Sequence, residues 1–270
     1  MAKSPAGTAA SEPARRAAGE SRATGLARAV GAAVSSQAGA TQRATPAARA
    51  RLDAGFAPER ARRLMVARLR DWGVRDDRVL EAMQAVPRHA FVDEALASRA
   101  YEEIALPIGH AQTISRPLAV ARVLEAVRGQ PGTRPPGGLR ALEIGTGCGY
   151  QAAVMARLFD EVYSVERIRA LHESARHNLR PMRIANLRLV FGDGRDGVAS
   201  AAPYDAIVVA AAGHEIPQPL LQQMRVGGCL VAPVGEQEQT LHRVDRLGES
   251  EWRLTVLDEA RFVPLRSGTI

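Results

Sequence analysis

The stretch LEIGTGCGY, residues 142–150, decides the fold of this chain. A short apolar segment with strand character ends at Gly145, and Gly147 and Gly149 follow before a helical pattern begins at Tyr150. Glycine lets the backbone turn tightly and lets a ligand approach it closely. The stretch therefore predicts a strand, a glycine loop and a helix, with a ligand held at the loop.

Segments with strand and helix character alternate after this loop. The strand-like segments are RALEIG (140–145), EVYSVE (161–166), LRLVFGD (187–193), YDAIVVAAA (204–212) and GCLVAPVG (228–235). Strands that alternate with helices predict a mostly parallel sheet with helices on both faces. From residue 240 onward two segments alternate apolar and polar residues, which predicts antiparallel strands at the C-terminal edge. The fold class is therefore α/β and Rossmann-like.

Two helical patterns precede this region and predict a helical N-terminal cap. In the first, Leu64, Leu69 and Trp72 recur near helical spacing, and Gly73 ends the pattern. The second begins at an aspartate cap and stops at Pro87. Between this cap and the strand at residue 140, the Pro- and Gly-rich segment 129–139 predicts a loop.

Residues 1–57 are rich in Ala and Arg, and we expect them to be a disordered tail that precedes one domain over residues 58–270. The first 50 residues hold seven basic and two acidic residues, so they carry +5 of the formal net charge of +7. The remaining chain is nearly neutral, which argues against nucleic acid as a partner. A transit peptide and a translation start placed too far upstream are alternative interpretations of the tail.

The cysteine content indicates a reduced, cytoplasmic protein without a metal site. Cys148 and Cys229 have no partner at metal-ligand spacing. No apolar run approaches the ~20 residues that a membrane helix needs.

Acidic residues stand at or near the ends of three successive predicted strands. Glu143 would repel a pyrophosphate but suits a ligand with a cationic amino-acid end. Glu166, 21 residues after Gly145, is placed to accept the hydroxyls of a ribose. Asp193 is placed to accept a hydrogen bond from an adenine amino group, and Gly194 leaves room for the ring.

S-adenosylmethionine has a cationic amino-acid end, a ribose and an adenine, and it has no phosphate. The spacing of the three acids therefore predicts this cofactor. Each acid taken singly is more often a solvated turn residue. A nicotinamide dinucleotide is disfavoured, because its third loop glycine would have to stand where Tyr150 is.

The segment QTIS, residues 112–115, leaves two interpretations of Ser115 open. Before Arg116-Pro117, Ser115 is typical of a helix N-cap. As a hydrolase nucleophile it would lack the G-x-S-x-G elbow, and no sequence feature places a histidine beside it.

The chain resembles the protein-L-isoaspartate O-methyltransferases over residues 64–265. The resemblance rests on these segments in order: VPRHAFV, LPIGHAQTISRP, LEIGTGCGYQAAVMA, VYSVERI, GDGRDG, YDAIVVAAA and RFVPL. It implies methyl transfer from S-adenosylmethionine to the free carboxylate of L-isoaspartyl residues in damaged proteins and peptides, by a cytoplasmic enzyme that is expected to be a monomer.

The resemblance also implies roles for particular residues. Ser115 is the implied catalytic residue, with Thr113 beside it contacting cofactor and substrate, and Val263 and Leu265 contacting the substrate peptide. The implied cofactor residues are Thr113, Ile114, Glu143, Gly145, Gly147, Glu166, Asp193 and Gly194.

Two departures from the family pattern keep alternatives open. Ala111 replaces a usual glycine, and Arg116 stands where Gln or a small residue is more common. The alternatives are an S-adenosylmethionine-dependent methyltransferase for another acceptor, and a protein that binds the cofactor without turning it over.

Overall fold

The computed structural model describes residues 57–128 and 138–270. Residues 1–56 and 129–137 lie outside the described part of the chain. The predicted disordered tail and most of the predicted 129–139 loop fall there, so both stay predictions, as does the domain boundary at residue 58.

Strands and helices alternate between residues 140 and 234, as predicted, although only a short 3-10 turn separates the strand that ends at Phe191 from the strand that begins at Tyr204. The helices are α1 (Pro58–Asp71), α2 (Asp77–Ala85), α3 (Pro117–Arg128), α4 (Tyr150–Met155), α5 (Arg169–Leu179) and α6 (Gln218–Gln222). The strands are β1 (Leu106–Gly109), β2 (Gln112–Ile114), β3 (Arg140–Ile144), β4 (Glu161–Glu166), β5 (Leu187–Phe191), β6 (Tyr204–Val209), β7 (Met224–Val234), β8 (Gln239–Arg246) and β9 (Trp252–Ala260).

Seven strands form one sheet in the order β5-β4-β3-β6-β7-β8-β9, and β1 pairs with β2 in a separate hairpin. The pairs from β5 across to β7 are parallel, whereas β8 and β9 run antiparallel at the edge. The Rossmann-like α/β prediction is therefore confirmed, including the antiparallel C-terminal edge. Because the chain builds outward from β3 to β5 and then returns to β6, the order reverses between β3 and β6, where such sheets bind ligands.

Each face of the sheet packs against its own apolar cluster. Alternate residues of β3 divide between them: Ala141 joins the cluster that includes residues of α1 to α5, and Leu142 joins the cluster that includes Leu220 of α6. Both residues are fully buried. The alternation follows from strand geometry, because successive side chains point to opposite faces.

The buried face of α1 differs from the one predicted. Leu64 and Trp72, both assigned to the apolar face, are 52% and 42% exposed, whereas Met65 and Leu69 are buried. Met65 and Leu69 are four residues apart and therefore share one side of the helix. Leu64 lies about 100° around the helix from Met65, which turns it to solvent.

Two predicted boundaries also moved. Strand β7 begins at Met224 instead of residue 228, because Met224 already pairs with Tyr204 of β6. Strand β6 ends at Val209, three residues short of the predicted end at Ala212. Ala212 instead forms an isolated bridge with Pro264 of the C-terminal segment.

Over residues 57–128 and 138–270, every helix is too short or too polar to cross a bilayer.

The exposure difference within α1 is testable. Leu69→Ala removes a fully buried side chain and should lower the free energy of unfolding by about 2–5 kcal/mol. Leu64→Ala, on the same helix, should change it by no more than about 0.5 kcal/mol. Urea denaturation followed by circular dichroism measures both, and equal effects would refute the packing described for α1.

Candidate active site

An open cleft lies at the carboxyl ends of β3, β4 and β6, with about 860 Å³ of empty space including the part open to solvent. Its lining includes the β1–β2 hairpin with Ser115, the glycine loop after β3, the end of β4 with the residues that follow it, and segment 263–266. The cleft therefore sits at the reversal point of the strand order.

The amides of the glycine loop are largely used by the protein itself. The N–H groups of Gly145 and Thr146 both donate to the carbonyl of Val165, at 2.9 and 3.2 Å. The N–H of Gly147 donates to the Glu166 carboxylate, 2.8 Å from Oε2. A phosphate-binding loop needs such groups free to face the ligand. This loop is therefore poorly suited to a pyrophosphate, as the position of Tyr150 had indicated.

Glu166 joins the loop to the next strand and helix. While Oε2 accepts from Gly147, Oε1 accepts from the N–H of Ile168 at 2.9 Å. Glu166 lines the cleft, although only 5% of its surface is exposed to solvent. Carboxylate oxygens carry further lone pairs, so Glu166 can still accept hydroxyl donors from a ligand.

Glu143 lies behind the glycine loop and does not line the cleft. It is fully buried, and its Oε2 accepts a hydrogen bond from the Ser164 hydroxyl. Its Oε1 has no hydrogen-bond partner of normal geometry among the described residues. Burial raises the pKa of the Glu143 carboxyl to about 8, and the Ser164 bond lowers it only in part. The charge of Glu166 raises this pKa further. Glu143 is thus a carboxyl group that would gain from a nearby positive charge.

Asp193 faces the C-terminal residues, outside the cleft lining. Its two oxygens accept from the N–H groups of Arg195 at 2.9 Å and Gly268 at 2.5 Å. The next residue, Gly194, does line the cleft, and a Cβ there would collide with Ile144. Glycine at 194 therefore permits close packing beneath the cleft floor.

Ser115 lies between β2 and α3, half-buried, on the cleft wall with Thr113 and Ile114. Its hydroxyl makes no hydrogen bond within the described chain. The first turn of α3 is capped instead by Glu103, whose carboxylate accepts from the N–H of Leu118 at 3.0 and 3.2 Å. The hydroxyl is therefore free of the capping role that the sequence left open. The described cleft-lining residues include no histidine, so a hydrolase base for Ser115 is missing there.

The hairpin that carries Thr113 has a strained turn. His110 and Ala111 have φ values of 53° and 55°, in the left-handed region that favours glycine. Ala111 is the departure from the family pattern noted in the sequence, and it stands at a left-handed position that glycine occupies without strain. Ile108 on β1 packs over the glycine loop, since a Cβ on Gly147 would lie 3.1 Å from its Cδ1.

The C-terminal segment 263–266 forms another wall of the cleft. The N–H of Ala212 donates to the carbonyl of Val263 at 2.8 Å, and the N–H of Leu265 donates to the carbonyl of Ala212 at 2.7 Å. Val263 and Leu265 both line the cleft. A short extended segment is thereby fixed beside the end of β6.

The two cysteines and the candidate metal ligands of the described residues add no reactive group to the cleft. Cys148 and Cys229 are free and buried, and burial raises their pKa values to about 11 and about 12. Across the described residues, no group of three or more His, Cys, Asp or Glu side chains is placed to hold a metal ion.

Nine of the eleven residues predicted for the site line this one cleft. They are Thr113, Ile114, Ser115, Gly145, Gly147, Glu166, Gly194, Val263 and Leu265. Glu143 and Asp193 lie behind it. Four further residues line the cleft without having been predicted: the apolar residues Ile108, Ile168 and Leu171, and the basic residue Arg266. Of these four, only Ile168 could have been predicted from the sequence, because it follows the predicted cofactor residue Glu166 by two positions.

Comparisons with known proteins point to one family. The sequence profile described as protein-L-isoaspartate(D-aspartate) O-methyltransferase matches residues 60–269. A protein named protein-L-isoaspartate O-methyltransferase from Janthinobacterium sp. (strain Marseille) is 55% identical over 214 residues, covering 78% of this chain and 72% of that protein. A relative of the same name from Burkholderia mallei (strain SAVP1) is 57% identical over 214 residues, covering 78% of this chain and 65% of its own length.

Solved structures agree in fold. One protein-L-isoaspartate O-methyltransferase superimposes with a TM-score of 0.67 at 31% identity, covering 75% of this chain and 65% of that chain. A Plasmodium falciparum protein described as a protein-L-isoaspartate O-methyltransferase, solved with S-adenosyl-L-homocysteine, gives a TM-score of 0.64 at 22% identity and covers 76% of this chain and 98% of that chain. Because the profile spans most of the described residues and the Janthinobacterium relative is covered over more than two thirds of its length, this chain belongs to the protein-L-isoaspartate(D-aspartate) O-methyltransferase family.

Proposed function

We propose that this chain transfers a methyl group from S-adenosylmethionine to the free carboxylate of L-isoaspartyl residues in damaged proteins and peptides, with Ser115 orienting that carboxylate. The observation that carries the proposal is the Ser115 hydroxyl, which makes no hydrogen bond to any described residue and lines the same cleft as the glycine loop and Glu166. Family membership supports the reaction, and the geometry supports the role of the serine.

The residues present fit S-adenosylmethionine better than a phosphate-bearing cofactor. The loop amides of Gly145, Thr146 and Gly147 are already bonded. Among the described residues, Oε1 of Glu143 has only a loose contact with the Gln151 side chain, so it suits a cationic ligand. Glu166 is available to accept hydrogen bonds from the ribose hydroxyls. Gly145 and Gly147 allow the cofactor to approach the backbone closely. Gly194 is assigned to the adenine end, with Asp193 acting beside it from outside the cleft lining, and Thr113 and Ile114 are assigned to the opposite wall. When bound, the cofactor supplies an electrophilic methyl group.

The substrate carboxylate needs alignment more than it needs a base. With a pKa of ~4, it is already ionised at neutral pH. Hydroxyl donors such as Ser115 and Thr113 can hold one oxygen and leave the other free to attack. A tight ion pair with arginine would reduce its nucleophilicity. Two arginines line the cleft, Arg167 and Arg266, and the guanidinium of Arg167 is engaged elsewhere, since its Nε donates to the carbonyl of Gly268 at 2.8 Å. Val263 and Leu265 are positioned to contact the peptide that bears the carboxylate.

We also propose a cytoplasmic location, from the two unpaired cysteines, and no nucleic-acid partner, from the near-neutral charge of the chain after residue 50. A monomeric state is proposed from the family resemblance alone.

The decisive experiment uses labelled S-adenosylmethionine and two short peptides that differ only in L-isoaspartate or L-aspartate at one position. Base-labile label on the isoaspartyl peptide alone is the expected result. Label on neither peptide, with S-adenosylhomocysteine still bound, would favour another acceptor or a cofactor-binding protein without turnover.

Ser115→Ala should lower kcat on the isoaspartyl peptide by about 100-fold, because the carboxylate loses its orienting donor. Affinity for S-adenosylhomocysteine, measured by calorimetry, should stay nearly unchanged. Ser98→Ala, an exposed serine outside the cleft, is the matched control and should keep full activity. Undiminished kcat in Ser115→Ala would contradict the role assigned to Ser115.

Glu143→Gln should change how stability depends on pH. The ordinary pKa of this carboxyl is 4.5 and its value in the folded protein is about 8, so the folded state retains a proton that the unfolded state releases. The stability contributed by that proton is complete below pH 4.5 and is lost as the pH rises toward 8.

The glutamine variant lacks this titration, so its melting temperature should fall less than that of the parent protein between pH 5 and pH 8. It should also bind S-adenosylmethionine more weakly, because the carboxylate is gone. Glu173→Gln, at an exposed position on α5, is the control and should follow the parent curve. Parallel melting curves for Glu143→Gln and the parent would contradict the assigned pKa.

A further inference from the structure

Arg88 is a fully buried arginine whose role the cleft residues do not explain. It begins the short turn Arg88–Phe91 after Pro87 and has no exposed surface. It does not line the cleft. Yet it is among the largest completely buried side chains of the described structure, and it is charged.

The guanidinium links two separate parts of the chain through backbone carbonyls. Nε donates to the carbonyl of Ala100 at 2.7 Å, and Nη2 donates to the carbonyl of Ser115, also at 2.7 Å. Its Cζ lies 5.0 Å from the centre of the Tyr150 ring. Tyr150 starts α4 directly after the glycine loop and lines the cleft. Arg88 therefore contacts both the residue that carries the catalytic hydroxyl and the helix that follows the cofactor loop.

This arrangement is costly for stability. Within the described chain Arg88 forms no ion pair, and its Nη1 has no hydrogen-bond partner. Burial lowers the pKa of the guanidinium, and the attraction of Glu103 compensates only in part. Replacing a buried charge with a well-packed apolar side chain is often neutral or stabilising. A purely structural need would thus be met as well by methionine, which has similar length and no charge.

We propose that Arg88 is a positioning residue for methyl transfer: it holds the Ser115 carbonyl and so fixes the backbone from which the Ser115 hydroxyl projects into the cleft. The guanidinium also packs on the Tyr150 ring, and this contact fixes the position of the Ser115 backbone relative to the glycine loop. Both contacts together define the separation between the hydroxyl and the bound cofactor. The inference rests on the proposed function, because it acts through Ser115.

The structure offers a control close by in Arg68, which makes a similar hydrogen bond but is exposed where Arg88 is buried. Arg68 also donates from Nη2 to a backbone carbonyl, that of Tyr101, at 2.7 Å. Tyr101 is adjacent to Ala100, so both arginines brace the same part of the chain. Only Arg88 reaches Ser115.

The test compares Arg88→Met with Arg68→Met on the isoaspartyl peptide. Arg88→Met should lower kcat between about tenfold and about 100-fold, as a misplaced reacting group does. Its affinity for S-adenosylhomocysteine should stay close to that of the parent protein. Arg68→Met should keep its kcat. If Arg88→Met is unfolded at the assay temperature, Arg88→Lys replaces it. Lysine keeps the charge but lacks the fork that reaches both carbonyls, so the same loss of kcat is expected.

A double variant separates positioning from a general loss of structure. If Arg88 acts through the Ser115 hydroxyl, Arg88→Met combined with Ser115→Ala should be no slower than Ser115→Ala alone. Losses that multiply, or an Arg88→Met enzyme with parental kcat, would overturn the inference. If Ser115→Ala is itself fully active, the role proposed for Ser115 fails and this inference fails with it. If only Ser115→Ala is slow, the proposed function stands and the Arg88 inference alone is wrong.

Discussion

The hydrogen bonds of the Glu166 carboxylate are the constraint on which the cleft depends. One oxygen holds the glycine loop at Gly147, and the other holds Ile168 at the approach to α5. The loop after β3, the end of β4 and the start of the following helix are thereby tied at one point. The same bond removes from the loop an amide that a phosphate would require. A single acidic side chain thus both shapes the cleft and selects the chemical class of its ligand.

The sheet explains why residues far apart in sequence meet here. Parallel strands deliver their carboxyl ends to one edge, and the order reverses between β3 and β6, so loops diverge there and leave a crevice. Glu143, Glu166 and Ser115 reach this region from three different elements. Within residues 57–128 and 138–270, the fold contains unfavourable features: a carboxyl group buried without a full set of partners, an arginine buried without an ion pair, and a left-handed alanine in the hairpin turn. Such features concentrate near functional sites.

Much of this organisation was predictable from local patterns. The strand EVYSVE was predicted with its observed limits, because turn residues on both sides of a short apolar segment leave little freedom in where the strand begins and ends. Glycines and acids at strand ends predicted the cleft because strand ends converge. The buried face of α1 was not predictable in the same way, since Leu64 and Met65 are both apolar and only tertiary contacts choose between them. Nor did spacing indicate that Glu143 would lie behind the loop, that Asp193 would bond to Gly268, or that Glu103 would cap α3 from 15 residues away.

The two buried thiols have a practical consequence for the chemistry of the whole protein. With pKa values of about 11 and 12, Cys148 and Cys229 are protonated at neutral pH, and only about one in 10⁴ of the more acidic thiol is ionised. The thiolate is the form that oxidants and alkylating reagents attack. The sulfur of Cys148 therefore sits beside the cleft as an inert packing atom. A cysteine introduced at the exposed hairpin turn would be by far the more reactive thiol, so a spectroscopic label placed there would report on the cleft without either native sulfur having to be removed.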